Sequence, residues 1–232
     1  MNKRTLYTAI GTFRKKSEGF GQTHPVVVIN RKEYAMDIQE MTVWTALCWR
    51  ILDYHQLENK YTQLAQCAPV PTRTLESCVE RLKTRGLIIS GSGETDFDAL
   101  YDLLSGLYVV PLSESLLLRL ATFLKIVLFK GGSWSHAKQL FAKDHPNERE
   151  AQVIALSRQA LLSTAELIKC VEVGATDIST DCKLLDAIYS DPNTNYDNIR
   201  YMVQYAACKE PITIAVANLY LRKQVIFQRI EP

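Results

Sequence analysis

The spacing of apolar residues changes several times along the chain, and each change predicts a new element. Val26-Val27-Val28-Ile29 is a run rich in β-branched residues, Asn30-Arg31-Lys32 supplies a turn, and Glu33-Tyr34-Ala35-Met36 alternates polar with apolar, which predicts a β-hairpin. From Asp37 the period becomes helical. Met41, Trp44, Thr45, Cys48 and Ile51/Leu52 recur at three and four, so a first helix is expected to about His55, with Asp37 placed to cap its free N–H groups. Glu58 to Cys67 reads as a short second helix, Ala68-Pro69-Val70-Pro71 breaks it, and Thr72 opens a third that runs to Arg85. In that third helix Leu75, Cys78, Val79 and Leu82 share one face. Gly86 ends it, Leu87-Ile88-Ile89-Ser90 is a strand, and Gly91-Ser92-Gly93 is expected as a flexible tip. Beyond the tip, Asp96 to Leu104 reads as helix, and only Leu107-Tyr108-Val109-Val110 offers a further strand.

From Pro111 onward the pattern predicts helices alone. Leu116 to Phe129 is amphipathic, interrupted by Arg119, Thr122 and Lys125, and too short for a bilayer, which needs roughly twenty apolar residues. Asn147 is placed to cap a long helix from Glu148, whose apolar positions Val153, Leu156, Ala160, Leu161, Ala165, Ile168 and Val171 continue until Gly174. Thr180 to Tyr189, Tyr196 to Cys208 and Ile212 to Phe227 are the remaining helices expected. The sequence shows no repeat at a fixed period. The expected fold class is therefore mainly α, with an α+β N-terminal part. Residues 1–23 form a basic arm (Lys3, Arg4, Arg14, Lys15 and Lys16 against Glu18), residues 24–110 a mixed domain, and residues 111–232 an all-helical domain.

Composition adds mostly exclusions. Of 232 residues, 47% are hydrophobic and 22% charged, the balance of a folded protein, and a net charge of +2 is too small to name a partner without knowing where the charges sit. The six cysteines form no C-x-x-C pair and no histidine stands at zinc-ligand spacing, so free thiols in a reducing cytoplasm are expected, with no metal. There is no phosphate loop and no nucleophile with a recognisable partner; neither an enzyme nor a cofactor is expected.

The short helix, turn, helix ending in K-T-R-G-L-I, strand and glycine-rich tip together resemble the winged helix-turn-helix superfamily of bacterial transcription regulators. That resemblance implies that Thr72 to Arg85 enters the DNA major groove and that Ile88 to Gly93 touches the backbone. On the helical wheel, the expected contacts to double-stranded DNA are Arg73, Thr74, Ser77, Arg81, Thr84 and Arg85, supported by Arg14, Lys15 and Lys16 of the arm. Glu80 and the acidic Glu94-Thr95-Asp96-Phe97-Asp98 stand against a polyanion. The implied role is a DNA-binding regulator or DNA-associated factor. Its helical C-terminal domain would serve dimerisation or sensing, as a homodimer joined through the stripe from Val153 to Val171 and the final helix. The leading hairpin also resembles the precursor-peptide recognition domains of peptide-modifying systems, which bind a peptide as an added strand on the hairpin edge. A peptide- or protein-binding, non-enzymatic module is accordingly the alternative.

Overall fold

The computed structural model of the chain describes residues 3–18, 22–65, 73–112 and 146–229. In chain order the elements are β1 (Arg4–Ala9), β2 (Thr12–Glu18), β3 (Gln22–Ile29), β4 (Lys32–Ala35), α1 (Ile38–Leu47), β5 (Leu52–Asp53), α2 (Tyr54–Ala65), α3 (Leu75–Thr84), β6 (Ile88–Gly93) and α4 (Asp96–Leu104). The second half holds β7 (Tyr108–Pro111), α5 (Glu148–Gln159), β8 (Leu162–Ser163), α6 (Thr164–Glu172), α7 (Asp181–Tyr189), α8 (Ile199–Met202), a 3-10 turn at Val203–Tyr205, α9 (Lys209–Leu221) and β9 (Val225–Gln228). The expected turn at 68–71 and the amphipathic stretch 116–129 lie outside the described residues.

The fold is α+β in both halves, which corrects the mainly α expectation and removes the all-helical second domain. Three antiparallel three-stranded sheets stand among the described residues, with strand orders β5-β1-β6, β2-β3-β4 and β8-β7-β9. The long helix expected from Glu148 to Gly174 is two helices. Ala160 takes extended backbone (φ −146°, ψ 156°) and ends α5, Leu162 and Ser163 pair with Val109 and Tyr108, and Ser163 caps α6 in a reciprocal bond with Glu166. The helical stripe had counted Leu161, which is 48% exposed, whereas its neighbour Leu162 is buried. The last helix likewise stops at Leu221: Lys223 takes left-handed backbone (φ +61°), and Val225–Gln228 becomes a strand paired with β7. Residues 196–208 hold only the one-turn α8 and its 3-10 continuation.

The basic arm is also corrected. β1 is the middle strand of the first sheet, pairing Leu6 and Tyr7 with Asp53 and Leu52 on one side and Arg4–Ala9 with Gly93–Ile88 on the other. β2 pairs with β3 from Thr12↔Val28 to Glu18↔Gln22. Basic residues at every second position, Arg14 and Lys16, are what one face of a strand provides, so their density signalled a surface rather than a tail. The first helix ends at Leu47, not His55: Trp49 turns the chain at φ +53°, and α2 starts at Tyr54 under a reciprocal Asp53–Gln56 cap.

The two halves repeat one plan. Each runs strand, helix, short strand, helix, later helix, strand, and in each sheet the first of these strands lies in the middle. Glu40 and Glu150, Val43 and Val153, Leu52 and Leu162, and Leu57 and Leu167 stand 110 positions apart. Asp37 and Asn147 form capping boxes with Glu40 and Glu150, each glutamate buried and bonded to an arginine that caps the C-terminus of the later helix, Arg85 on α3 and Arg222 on α9. After those arginines, Gly86 and Lys223 both take left-handed backbone (φ +67° and +61°), and matching bonds run from Leu87 N to Leu82 O and from Gln224 N to Leu219 O.

The units interlock. Tyr220 of α9 reaches into the first unit, where its hydroxyl donates to Ala9 O (3.2 Å), accepts from Trp49 N (3.0 Å) and lies 3.0 Å from Thr8 Oγ1. Its ring stacks on Phe227 at 4.3 Å, and Gly11 N donates to Phe227 O (3.0 Å).

Candidate nucleic-acid interface on α3

Helix α3 is amphipathic for a simple reason: Cys78, Val79 and Leu82 recur at one and three and are buried against α1, while the opposite face is left to solvent. Thr74 opens the helix by accepting from Ser77 N (3.2 Å). Thr74, Ser77, Arg81 and Thr84 are all exposed and share that outer surface with Glu76 and Glu80.

The arginines on this helix fall into two groups. Arg73 is held at the N-terminal end by an ion pair with Asp37 and by its own amide, which donates to Gln39 Oε1 (3.2 Å). Burial would push the Asp37 carboxyl up, but the Glu40 amide and the Arg73 guanidinium outweigh it and hold it below its ordinary value. Arg85 gives Nη1 to Glu40 Oε2 (2.9 Å) and Nη2 to Ala35 O, and is 30% exposed. Arg81 gives only Nε to Glu40 Oε1 (3.0 Å) and is 52% exposed, so its two terminal nitrogens are without a partner among the described residues. Lys83 pairs with Glu80 (3.0 Å). Arg73 and Arg85, both expected as DNA contacts, are therefore braces between α3 and the N-terminus of α1.

Among the described residues, Ile88–Gly93 forms no projecting wing but pairs with β1. Gly91 and Gly93 are not a flexible tip: they pair with Leu6 and Arg4 inside β6, and a Cβ on Gly91 would stand 2.1 Å from Leu103 N and one on Gly93 2.3 Å from Ala99 N. The glycines are there so that α4 can lie on the strand. Of the arm residues, Arg14 and Lys16 lie exposed on β2, Lys16 bonding Glu33 at 2.7 Å, and the side chain of Lys15 is outside the described set.

What the structure brings to the C-terminal end of α3 is a pair of residues the sequence reading missed. Asn30, in the β3–β4 turn, donates to Arg229 O, and Arg229 Nη1 would lie 3.9 Å from a Cβ on Gly86. Arg31 and Arg229 are exposed and have no carboxylate partner among the described residues. The turn was legible as Asn30-Arg31-Lys32; its approach to Arg229 was not, because the chain end was expected to be helix. Both edges of β3 are occupied, by β2 and by β4, and the outer carbonyl of Ala35 on β4 accepts from Arg85. A peptide strand added to the β3–β4 hairpin would have to displace β2 on one edge or compete with the Arg85–Ala35 bond on the other.

The five cysteines among the described residues are free, and Cys78 beneath α3 has its thiol pushed up by burial. Among the described residues no three His, Cys, Asp or Glu side chains converge on a metal position, and no helix is long and apolar enough to cross a membrane. No protein-family model, curated protein or solved structure matches the chain.

Proposed function

We propose that the protein is a non-enzymatic, DNA-associated factor of winged helix type, whose first unit lays α3 against duplex DNA. The observation that carries this reading is the exposed polar face of α3, Thr74, Ser77, Arg81 and Thr84, with the terminal nitrogens of Arg81 uncommitted. Hydroxyls near a helix N-terminus and a free arginine fork suit base edges and phosphates. Arg31 and Arg229 take the place of a projecting wing as backbone contacts at the other end of the helix. The corresponding helix of the second unit does not read DNA: α9 exposes Glu210, Pro211, Ile214 and Leu221. One chain thus carries a single reading helix, too little to select one site, and a homodimer supplies the second about 34 Å away, one turn of DNA.

Since Arg73 and Arg85 are neutralised within the fold, about three phosphate contacts remain on each protomer, which gives a log–log salt slope near −2.7 for each protomer bound. Fluorescence anisotropy of the full chain with a mixed-sequence duplex checks this, with Arg81→Ala reducing the slope by about 0.9. Absence of binding at low salt overturns the reading, as does a slope unchanged in Arg81→Ala. Light scattering tests the dimer separately, and Ile214→Lys with Leu221→Lys locates its interface on α9 if the mass halves.

A further inference from the structure

Between β2 and α1 lies a cleft of about 480 Å³ that the α3 reading does not use. Its walls are Phe13 from the strand and Met41, Trp44 and Cys48 from the helix, and it closes against Trp49, Arg50 and, from the second unit, Lys223. A volume of this size lined by aromatic and aliphatic groups with a few convergent polar ones is the usual form of a small-molecule site.

Three observations narrow what it takes. First, Trp49 and Lys223 are two of the four non-glycine residues with left-handed backbone among those described, and they meet here, Lys223 Nζ standing 5.5 Å from the centre of the Trp49 ring. In the first unit the position matching Lys223 is Gly86, the residue that this backbone favours, so a lysine is kept at some conformational cost. Second, neither cation has a counter-ion among the described residues. Arg50 Nη1 reaches only the carbonyl oxygens of Thr45 and Ala46 (3.3 Å each), and no carboxylate among the described residues pairs with Arg50 or Lys223. Third, the indole Nε1 of Trp49 is buried and has no acceptor among the described residues. The Cys48 thiol, pushed up to about 11 by burial, stays neutral and adds apolar wall rather than a competing anion.

We propose that this cleft binds a small aromatic monocarboxylate, its ring against Phe13, Trp44 and Trp49 and its carboxylate on Lys223 and Arg50. Because Lys223 belongs to the second unit and the walls to the first, an occupied cleft ties the units together. The site stands independently of DNA binding.

The test is a titration of the isotope-labelled full chain with phenylacetate, and with phenylacetamide as its neutral match, followed by ¹H–¹⁵N correlation spectra. The expected result is a saturable shift of one indole N–H signal, the one lost in Trp49→Phe, with phenylacetate binding at least about tenfold tighter than the amide. Lys223→Met removes that preference, and Lys223→Gly removes it while raising Tm, since the left-handed strain goes with the charge. Equal binding of acid and amide, a preference that survives Lys223→Met, or no shift of that signal up to about 10 mM overturns the proposal.

Discussion

Arg81 and Arg85 lie four residues apart on one helix and share one carboxylate, yet substitution separates them. Arg85 is the more enclosed and alone serves Ala35 O, so Arg85→Ala leaves that carbonyl without its donor and Glu40 Oε2 with only the Asp37 amide, at a cost of about 1–3 kcal/mol and a lower urea midpoint. Arg81 is half exposed, but its Nε is the donor to the buried Glu40 Oε1, so Arg81→Ala also costs about 1–3 kcal/mol, and its loss shows in the salt slope as well. Asp37 adds a pH signature. Its carboxyl is held below the ordinary value near 3.8, so the stability it contributes is present above that pH and is lost as pH falls through the lowered value. Acid denaturation monitored by circular dichroism should start below about pH 4 and be less steep in Asp37→Asn, which keeps the cap but not the charge. The helical wheel was enough to place Thr74, Ser77, Arg81 and Thr84 together. It had no access to Asp37 and Glu40, which reach these arginines from 36 to 45 positions away and decide which of them are free.

At the scale of elements, the helices with a marked apolar face and a capping side chain, α3, α4 and α7, were legible nearly to their ends, because cap and period are local. Short strands were not. β5 and β8 are two residues each and exist only because β1 and β7 run beside them, so no local pattern announces them. The stretch Gly91-Ser92-Gly93 misled for a related reason: glycine marks a loose loop and a close helix–strand contact equally well. Gly91→Ala distinguishes the two uses. With Leu103 N 2.1 Å from the added methyl, overpacking of roughly 1–3 kcal/mol is expected in thermal unfolding, whereas Gly106→Ala, with nothing nearer than Arg200 at 3.7 Å, should be close to neutral.

For the whole molecule the decisive residue is Tyr220. Its hydroxyl is the only acceptor for Trp49 N among the described residues and ties the last helix to the first strand, so Tyr220→Phe should cost about 1–3 kcal/mol. Calorimetry should show one transition in the native chain, its width increasing or splitting in the variant as the two units lose their coupling. The repetition of the units escaped the sequence because only scattered positions such as Glu40/Glu150 and Leu57/Leu167 are identical. It escaped also because α7 and α8 intervene before α9, changing the offset from 110 at the glutamates to 137 at Arg85 and Arg222.

The central place of β1 also governs how the chain is made. The strand leaves the ribosome before its partners: Leu52–Asp53 follow some forty-five residues later and Ile88–Gly93 some eighty, a delay of several seconds at about 5–20 residues per second. During that interval the first sheet lacks its longest pairing, and apolar residues such as Ala9, buried in the finished fold, stay exposed to aggregation. Deleting the first ten residues would not trim a tail; it would remove the seed on which the first sheet is assembled.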